Sequence, residues 1–456
     1  MEGDIRRADL TRSRKEFPRW PSHILGPVPG LKEMNLACWG LLAGLLITRF
    51  LFPYWLQFRS GGAASLHYPP VDFNYFYGIG RIANEYPLPR LYDYSLQLRT
   101  FNEIAPVHDG AYGPSPYPPF VALFFSLFAR FPILPAFLLW AGVSLSIYLT
   151  GIAAVAKDVF PGEKLKVSLC CFFAVAYCPF LLNTLAIGQI AALAVFSVGV
   201  AIYEERHAKP FSSGLVLSIL VYKPTLLLLV LPMLLLTRRF RALCGFITGA
   251  ALLLLTTTAI AGTEIWPAYA HFLAFFGRAA GLNGQSVLLL RQYIDLRSFV
   301  QAVWGGWSKA ELAILIPVAG MIAASLGVLL WRSANAGRPA QSLAWAATLT
   351  WTLLLNVYVP VYDSILVSVA AVLTLGAIRN LKWNAAAGWV TLLLVFISIV
   401  SWELDAIAVR HGIQLLPIFL VILGIGQLYF LRRAIGEGLE KAVHELSAGD
   451  ELRVSS

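Results

Sequence analysis

The sequence predicts an all-α polytopic membrane protein that crosses the bilayer about a dozen times. Of its 456 residues, 58% are hydrophobic and only 13% are charged, too few charges to cover a water-soluble surface. Apolar stretches near the ~20 residues needed to span hydrocarbon recur along almost the whole chain, as at 36–52 and 240–261. Basic residues gather in the short stretches between these runs, so the length reads as one membrane bundle rather than several soluble domains.

Taken in order, residues 1–33 are polar and basic (Arg6, Arg7, Arg12, Arg14, Lys15, Arg19, Lys32). They are too long and too charged for the n-region of a cleaved signal, and so predict a cytoplasmic tail before a retained first helix. Membrane helices are expected near 35–52, 133–155, 167–183, 188–204, 210–222, 223–236, 240–262, 311–330, 341–356, 363–378, 385–402 and 412–431. Together, 34–431 would form one transmembrane domain, followed by a second cytoplasmic tail at 432–456. This arrangement keeps Lys157/Lys164/Lys166, Arg206/Lys209, Arg238/Arg239/Arg241, Arg332/Arg338, Arg379/Lys382 and Arg432/Arg433 inside, with both termini cytoplasmic. The net charge of +10 is thereby explained by topology, without nucleic acid. The implied location is a plasma membrane, the inner one in a bacterium. Two large loops, 53–132 and 263–310, fall outside; the apolar stretch 120–131 reaches only ~18 Å as a helix and predicts an interfacial or re-entrant element. Cys38, Cys170, Cys171, Cys178 and Cys244 lie in apolar segments without metal-ligand spacing, so neither a disulfide nor a metal site is expected.

Several residues remain that composition does not explain. Between Arg206/Lys209 and Arg238/Arg239 lie only about 27 residues, which must cross an even number of times; each limb is then ~20 Å, less than the hydrocarbon thickness. The hairpin should turn at Tyr222-Lys223-Pro224 and strand Lys223 at or below the outer interface. There it needs a water-filled cavity or an anionic partner, unless it snorkels from a helix end. In the first outer loop Asp72 is embedded among aromatic residues in Tyr68-Pro69-Pro70-Val71-Asp72-Phe73-Asn74-Tyr75-Phe76-Tyr77, which makes it a candidate general base with a perturbed pKa. Tyr117-Pro118-Pro119, Asn183 with Gly188-Gln189, Asn283-Gly284-Gln285-Ser286 ahead of Arg291, and Tyr362-Asp363 converge on the same outer face.

In order and spacing, Asp72-Phe73, Tyr117-Pro118-Pro119, Asn183 through Gly188-Gln189, Tyr222-Lys223-Pro224 with Arg238-Arg239, and Tyr362-Asp363 resemble glycosyltransferase family 87 over about residues 70–370. The resemblance implies a C-type glycosyltransferase fold. The implied enzyme is a hexosyltransferase that takes a mannose-like sugar from a polyprenyl-phosphate carrier on the non-cytoplasmic side and gives it to a lipid or glycan acceptor. Mannosyltransferases of the family tend to carry a late Trp- and His-containing motif where this chain has Pro360-Val361-Tyr362-Asp363. The chemistry asks for one base and one or two cations: Asp72 would take the acceptor proton, and Lys223 and Arg291 would hold the donor phosphate. Tyr117, Asn183, Gln189, Tyr222, Gln285, Tyr362 and Asp363 would line the cleft. One base suggests a single inverting displacement, with no metal and no cofactor beyond the lipid-linked donor. The main alternative is a multi-span transporter or lipid flippase, which a broken hairpin with a buried lysine also suits; the absent internal repeat and the long outer loop weigh against it.

Overall fold

The computed structural model describes residues 30–48, 71–105, 113–282, 290–304, 309–357, 359–380 and 385–454. The helices are α1 (Leu31–Leu46), α2 (Val71–Glu85), α3 (Tyr94–Ile104), α4 (Pro119–Ser126), α5 (Ile133–Val159), α6 (Lys164–Ala176), α7 (Ala192–Arg206), α8 (Pro210–Leu217) and α9 (Val230–Leu236). They continue as α10 (Phe240–Ala261), α11 (Ile265–Leu282), α12 (Leu296–Trp304), α13 (Lys309–Ser333), α14 (Arg338–Leu354), α15 (Leu366–Asn380), α16 (Ala385–His411) and α17 (Leu416–Val454).

Among the described residues, six helical segments are long and apolar enough to cross a membrane, or up to seven if the pair 164–176 and 178–186, bent by 60°, is one span. The expected dozen is reduced because several segments are short or interrupted. The 167–183 helix breaks at Tyr177, which precedes Cys178-Pro179; proline has no N–H for the ladder, and the chain resumes as a π-helical stretch over 181–186. The 188–204 helix begins only at Ala192, after a turn at Gly188. The 210–236 stretch is two short limbs: α8 runs into a 3-10 turn at 218–222, and a second 3-10 turn at 224–227 leads to α9. At the other end of the chain, the tail expected from 432 continues helix α17 through Val454. Its Ala-, Glu- and Leu-rich sequence has high helix propensity, and Arg433 bonds Glu437 one turn on at 2.9 Å.

The outer face of the bundle is apolar, as a lipid-facing surface must be: Ile247, Leu252, Leu254 and Leu255 of α10 and Trp389, Leu392 and Ile399 of α16 are all exposed. The centre is α14, buried at every position from Ser342 to Leu354 despite its Thr348, Thr350 and Thr352. Helices α5 and α7 approach at Gly151 and Gly199, where a Cβ on Gly199 would lie 2.3 Å from the Gly151 carbonyl oxygen. Small residues permit this backbone contact, the packing mode of helices that lack a hydrophobic drive to associate in lipid. The described part of the loop 53–132 is mostly helical, with a non-helical run over 113–118. Its α4 is half-buried against α2: a Cβ on Gly80 would meet the Phe125 carbonyl at 2.5 Å, and Phe76 stacks on Phe125 at 5.0 Å. The segment expected to lie at the interface is therefore docked into the protein on one side, while Phe124, Leu127 and Phe131 face outward.

Candidate active site

Asp72 sits in the first turn of α2, where the unpaired N–H groups and the helix dipole favour a carboxylate. The start of α2 is pinned to the turn before α7: the Phe73 amide donates to the Ile187 carbonyl at 2.9 Å, and the Gln189 amide donates to Thr184 at 2.8 Å. Gly188 makes that turn possible. Its φ is +75°, the Trp140 indole N–H donates to its carbonyl at 3.0 Å, and a Cβ there would lie 2.6 Å from the Phe73 Cβ. The turn delivers Gln189, whose Nε2 donates to Asp72 Oδ2 at 2.7 Å while its Oε1 accepts from the Ile190 amide at 3.4 Å. Removal from water raises the Asp72 carboxyl above its ordinary value, against the lowering pull of the Gln189 hydrogen bond and of the nearby Lys223 charge. Gly188→Ala is expected to lower stability by on the order of 1–3 kcal/mol, from positive-φ strain and overlap with Phe73. It should also lower turnover by displacing the Gln189–Asp72 contact; thermal unfolding in detergent and a rate measurement on the same preparation check both.

Lys223 occupies the break between the two 3-10 turns. Its ammonium pairs with Asp363, in the 3-10 turn 361–365 that leads into α15, and lies 4.7 Å over the Tyr362 ring. The lysine side chain is 18% exposed and the aspartate 1%, so the hairpin lysine has an anionic partner, and desolvation makes that pairing obligatory. The other Asp363 oxygen, Oδ1, and the buried Tyr222 hydroxyl have no hydrogen-bond partner among the described residues. Tyr117 lies within electrostatic range of Asp363, Asp72 and Tyr293 and interacts with the Tyr362 hydroxyl. Burial first and these carboxylates second push its phenol up, so it is neutral at this site. The strand-like contact that brings in Tyr293 is an antiparallel bridge to Pro360, with the Ile294 amide on the Val359 carbonyl at 2.8 Å. Asp295 fastens it by accepting from the Ser298 amide at 2.8 Å, the Ser298 hydroxyl at 2.9 Å and the Val359 amide at 2.9 Å.

Of the residues singled out in the sequence, Asp72, Tyr117, Gln189, Tyr222, Lys223, Tyr362 and Asp363 form one cluster at one end of the bundle. Arg291 lies on the turn 290–292, two residues before the Tyr293 bridge, with no ion pair among the described residues. Asn183 does not join them: its amide donates to Asp405 of α16 at 3.2 Å. Gln285 lies outside the described residues. Tyr293 was missed because nothing in the sequence registers 293 against 360. Asp405 was legible as an intramembrane-type acid beside Glu403, the kind of residue that asks for a partner. Among the described residues no group of three His, Cys, Asp or Glu side chains could hold a metal ion.

A helical membrane bundle that gathers a buried carboxylate, a buried lysine–aspartate pair and four tyrosines at one end has the features of a candidate active site. The family model of glycosyltransferase family 87 matches residues 116–360, more than half of the chain, and the chain belongs to that family. It is therefore a membrane glycosyltransferase. No curated protein and no solved structure matches the chain.

Proposed function

We propose that the chain transfers a hexose from a polyprenyl-phosphate sugar to a hydroxyl of a lipid or glycan acceptor, at the outer side of the membrane, with inversion at the anomeric carbon. The observation that carries this reading is the Asp72 carboxylate held by Gln189 beside the Lys223–Asp363 pair. In the proposed step the acceptor oxygen attacks the anomeric carbon as Asp72 takes its proton. The bond from that carbon to the phosphate oxygen breaks, and the polyprenyl phosphate leaves with the bonding electrons. The donor phosphodiester carries one negative charge and the departing monoester gains a second, so cations stabilise the transition state more than the ground state. Lys223 keeps N–H groups beyond the one on Asp363, but the pair is neutral as a unit, and Arg291 then supplies the uncompensated positive charge. The scheme uses no cofactor and no metal ion. A mannose-like sugar is the family expectation, and a C-type glycosyltransferase fold for the chain is part of the same proposal.

Two measurements test it. Because Asp72 must be ionised and its pKa is raised, the acid limb of the pH–rate profile should lie above the ordinary carboxylate value of 3.8. Gln189 lowers that pKa, so Gln189→Leu should move the limb to higher pH, with the rate recovering at alkaline pH; an unmoved limb would dissociate Gln189 from the base. For sidedness, in a cysteine-free background, a cysteine at the exposed Ser95 should react with an impermeant maleimide in intact cells, and one at the exposed Lys209 only after lysis. The reverse pattern would invert the orientation.

A further inference from the structure

At the end of the bundle opposite Asp72 there is a polar cavity of about 540 Å³ that the transfer chemistry does not use. Its distance from the active site follows from α5, whose Trp140 bonds the Gly188 turn while Asp158 lines the cavity; 18 helical residues separate the two levels, about 27 Å. The cavity lies where α5, α7, α14 and α15 end or begin, and it is lined by Arg206, Arg338 and Arg379 together with Asp158 and Ser342. We infer that it is a binding site for a phosphate-bearing anion, held by these three arginines at the start of α14.

The charge balance carries the inference. Arg206, with a side chain only 12% exposed, is neutralised by Asp158 and donates a second bond to the Ser342 hydroxyl at 2.7 Å, so it is a fixed wall of the cavity. Arg379 shares the single carboxylate of Glu163 with Lys166, leaving that trio one positive charge in excess. Arg338 has no ion pair among the described residues. Around this one concave polar space Arg338 is therefore unmatched and Arg379 is only partly neutralised, because it shares its carboxylate with Lys166. Independently, α14 begins at Arg338 behind Gly337, which has no side chain to cap it, so first-turn N–H groups and the positive helix end open at the same place. Guanidinium groups recognise the paired oxygens of a phosphate, and among the described residues no carboxylate pairs with Arg338. The ligand is a phosphate group, of an anionic phospholipid headgroup or of a soluble phosphate compound. The helices it would join, α7 and α15, follow Gln189 and Asp363 at their far ends, so occupancy would brace the bundle that carries the active site.

The test uses the full-length protein in uncharged detergent, titrated with phosphatidylglycerol, with phosphatidylcholine, and with inorganic pyrophosphate at constant ionic strength, reading the thermal unfolding midpoint. Phosphatidylglycerol should raise the midpoint saturably and phosphatidylcholine should not. Arg338→Gln/Arg379→Gln should weaken the apparent affinity at least about tenfold. A charge-matched control, Arg241→Gln/Arg432→Gln, removes two exposed cations that do not line the cavity and should leave the affinity unchanged. Pyrophosphate acting like the lipid, with the same arginine dependence, assigns the site to soluble phosphates; lipid acting alone assigns it to headgroups. No saturable shift with either, or an equal loss in the control, overturns the inference. Should the double variant fail to fold, Arg338→Gln alone gives the reading, because that side chain is exposed and makes no ion pair among the described residues.

Discussion

Replacing Asp72 with asparagine is expected to lower turnover on the order of 10²–10⁴-fold, while donor affinity stays within about threefold of the wild type. The substitution preserves shape, and the side-chain carbonyl can still accept the Gln189 N–H that now meets Asp72 Oδ2 at 2.7 Å. What it removes is basicity, at the one acid in the cluster that is not already in an ion pair. The loss should therefore appear in the chemical step and not in binding. Measuring single-turnover rate and donor affinity on one monodisperse preparation separates the two. A variant that transfers at a near-normal rate would take Asp72 out of the mechanism and leave Asp363 as the acid to examine.

The second large effect is expected at the Lys223–Asp363 pair, and it falls on stability as well as on activity. Lys223→Met strands a carboxylate that is 1% exposed, and Asp363→Asn strands an ammonium that is 18% exposed. Removing one partner of such a pair is expected to cost on the order of 3–5 kcal/mol, because the remaining charge stays desolvated. The joint change Lys223→Met/Asp363→Asn leaves no unpaired charge and should recover much of that loss, giving a strongly non-additive double-mutant cycle in denaturant unfolding. Transfer should not recover, since the cation proposed to meet the donor phosphate is still missing. Additive stability losses would mean that the two groups do not act as a pair, and full activity in the double variant would remove Lys223 from phosphate binding.

Much of this was legible in the chain because lipid imposes strong constraints on sequence. The spans at 133–159, 240–261 and 385–411 announce themselves by length and hydropathy, and Lys223 by being a cation in a hairpin too short to cross twice. Asp72 stood out as an acid in an aromatic run. What escaped were long-range registers. Sequence places Lys223 and Asp363 140 residues apart and cannot show that one is the other's counter-ion. Nor can it show that Gly188 has glycine's backbone freedom for the purpose of aiming Gln189 at a residue 117 positions away. The count of crossings suffered from the same limit: Tyr177, Gly188 and Lys223 break helices whose hydropathy is continuous, because the cluster needs irregular backbone where it meets the bundle. Asn183 shows the converse, a residue whose neighbours enter the site while its own side chain turns to Asp405.

The most direct test of the central claim is to incubate the purified protein, in detergent and therefore in a single compartment, with a polyprenyl-phosphate [14C]mannose donor and extracted membrane lipid and glycan acceptors. Wild-type protein should consume donor and move the label into a new product, with free polyprenyl phosphate appearing in equal amount, and Asp72→Asn should bind the donor without doing so. Donor that is bound by both proteins and consumed by neither, across a panel of hexose donors, would contradict the assignment of Asp72 and its cluster to glycosyl transfer.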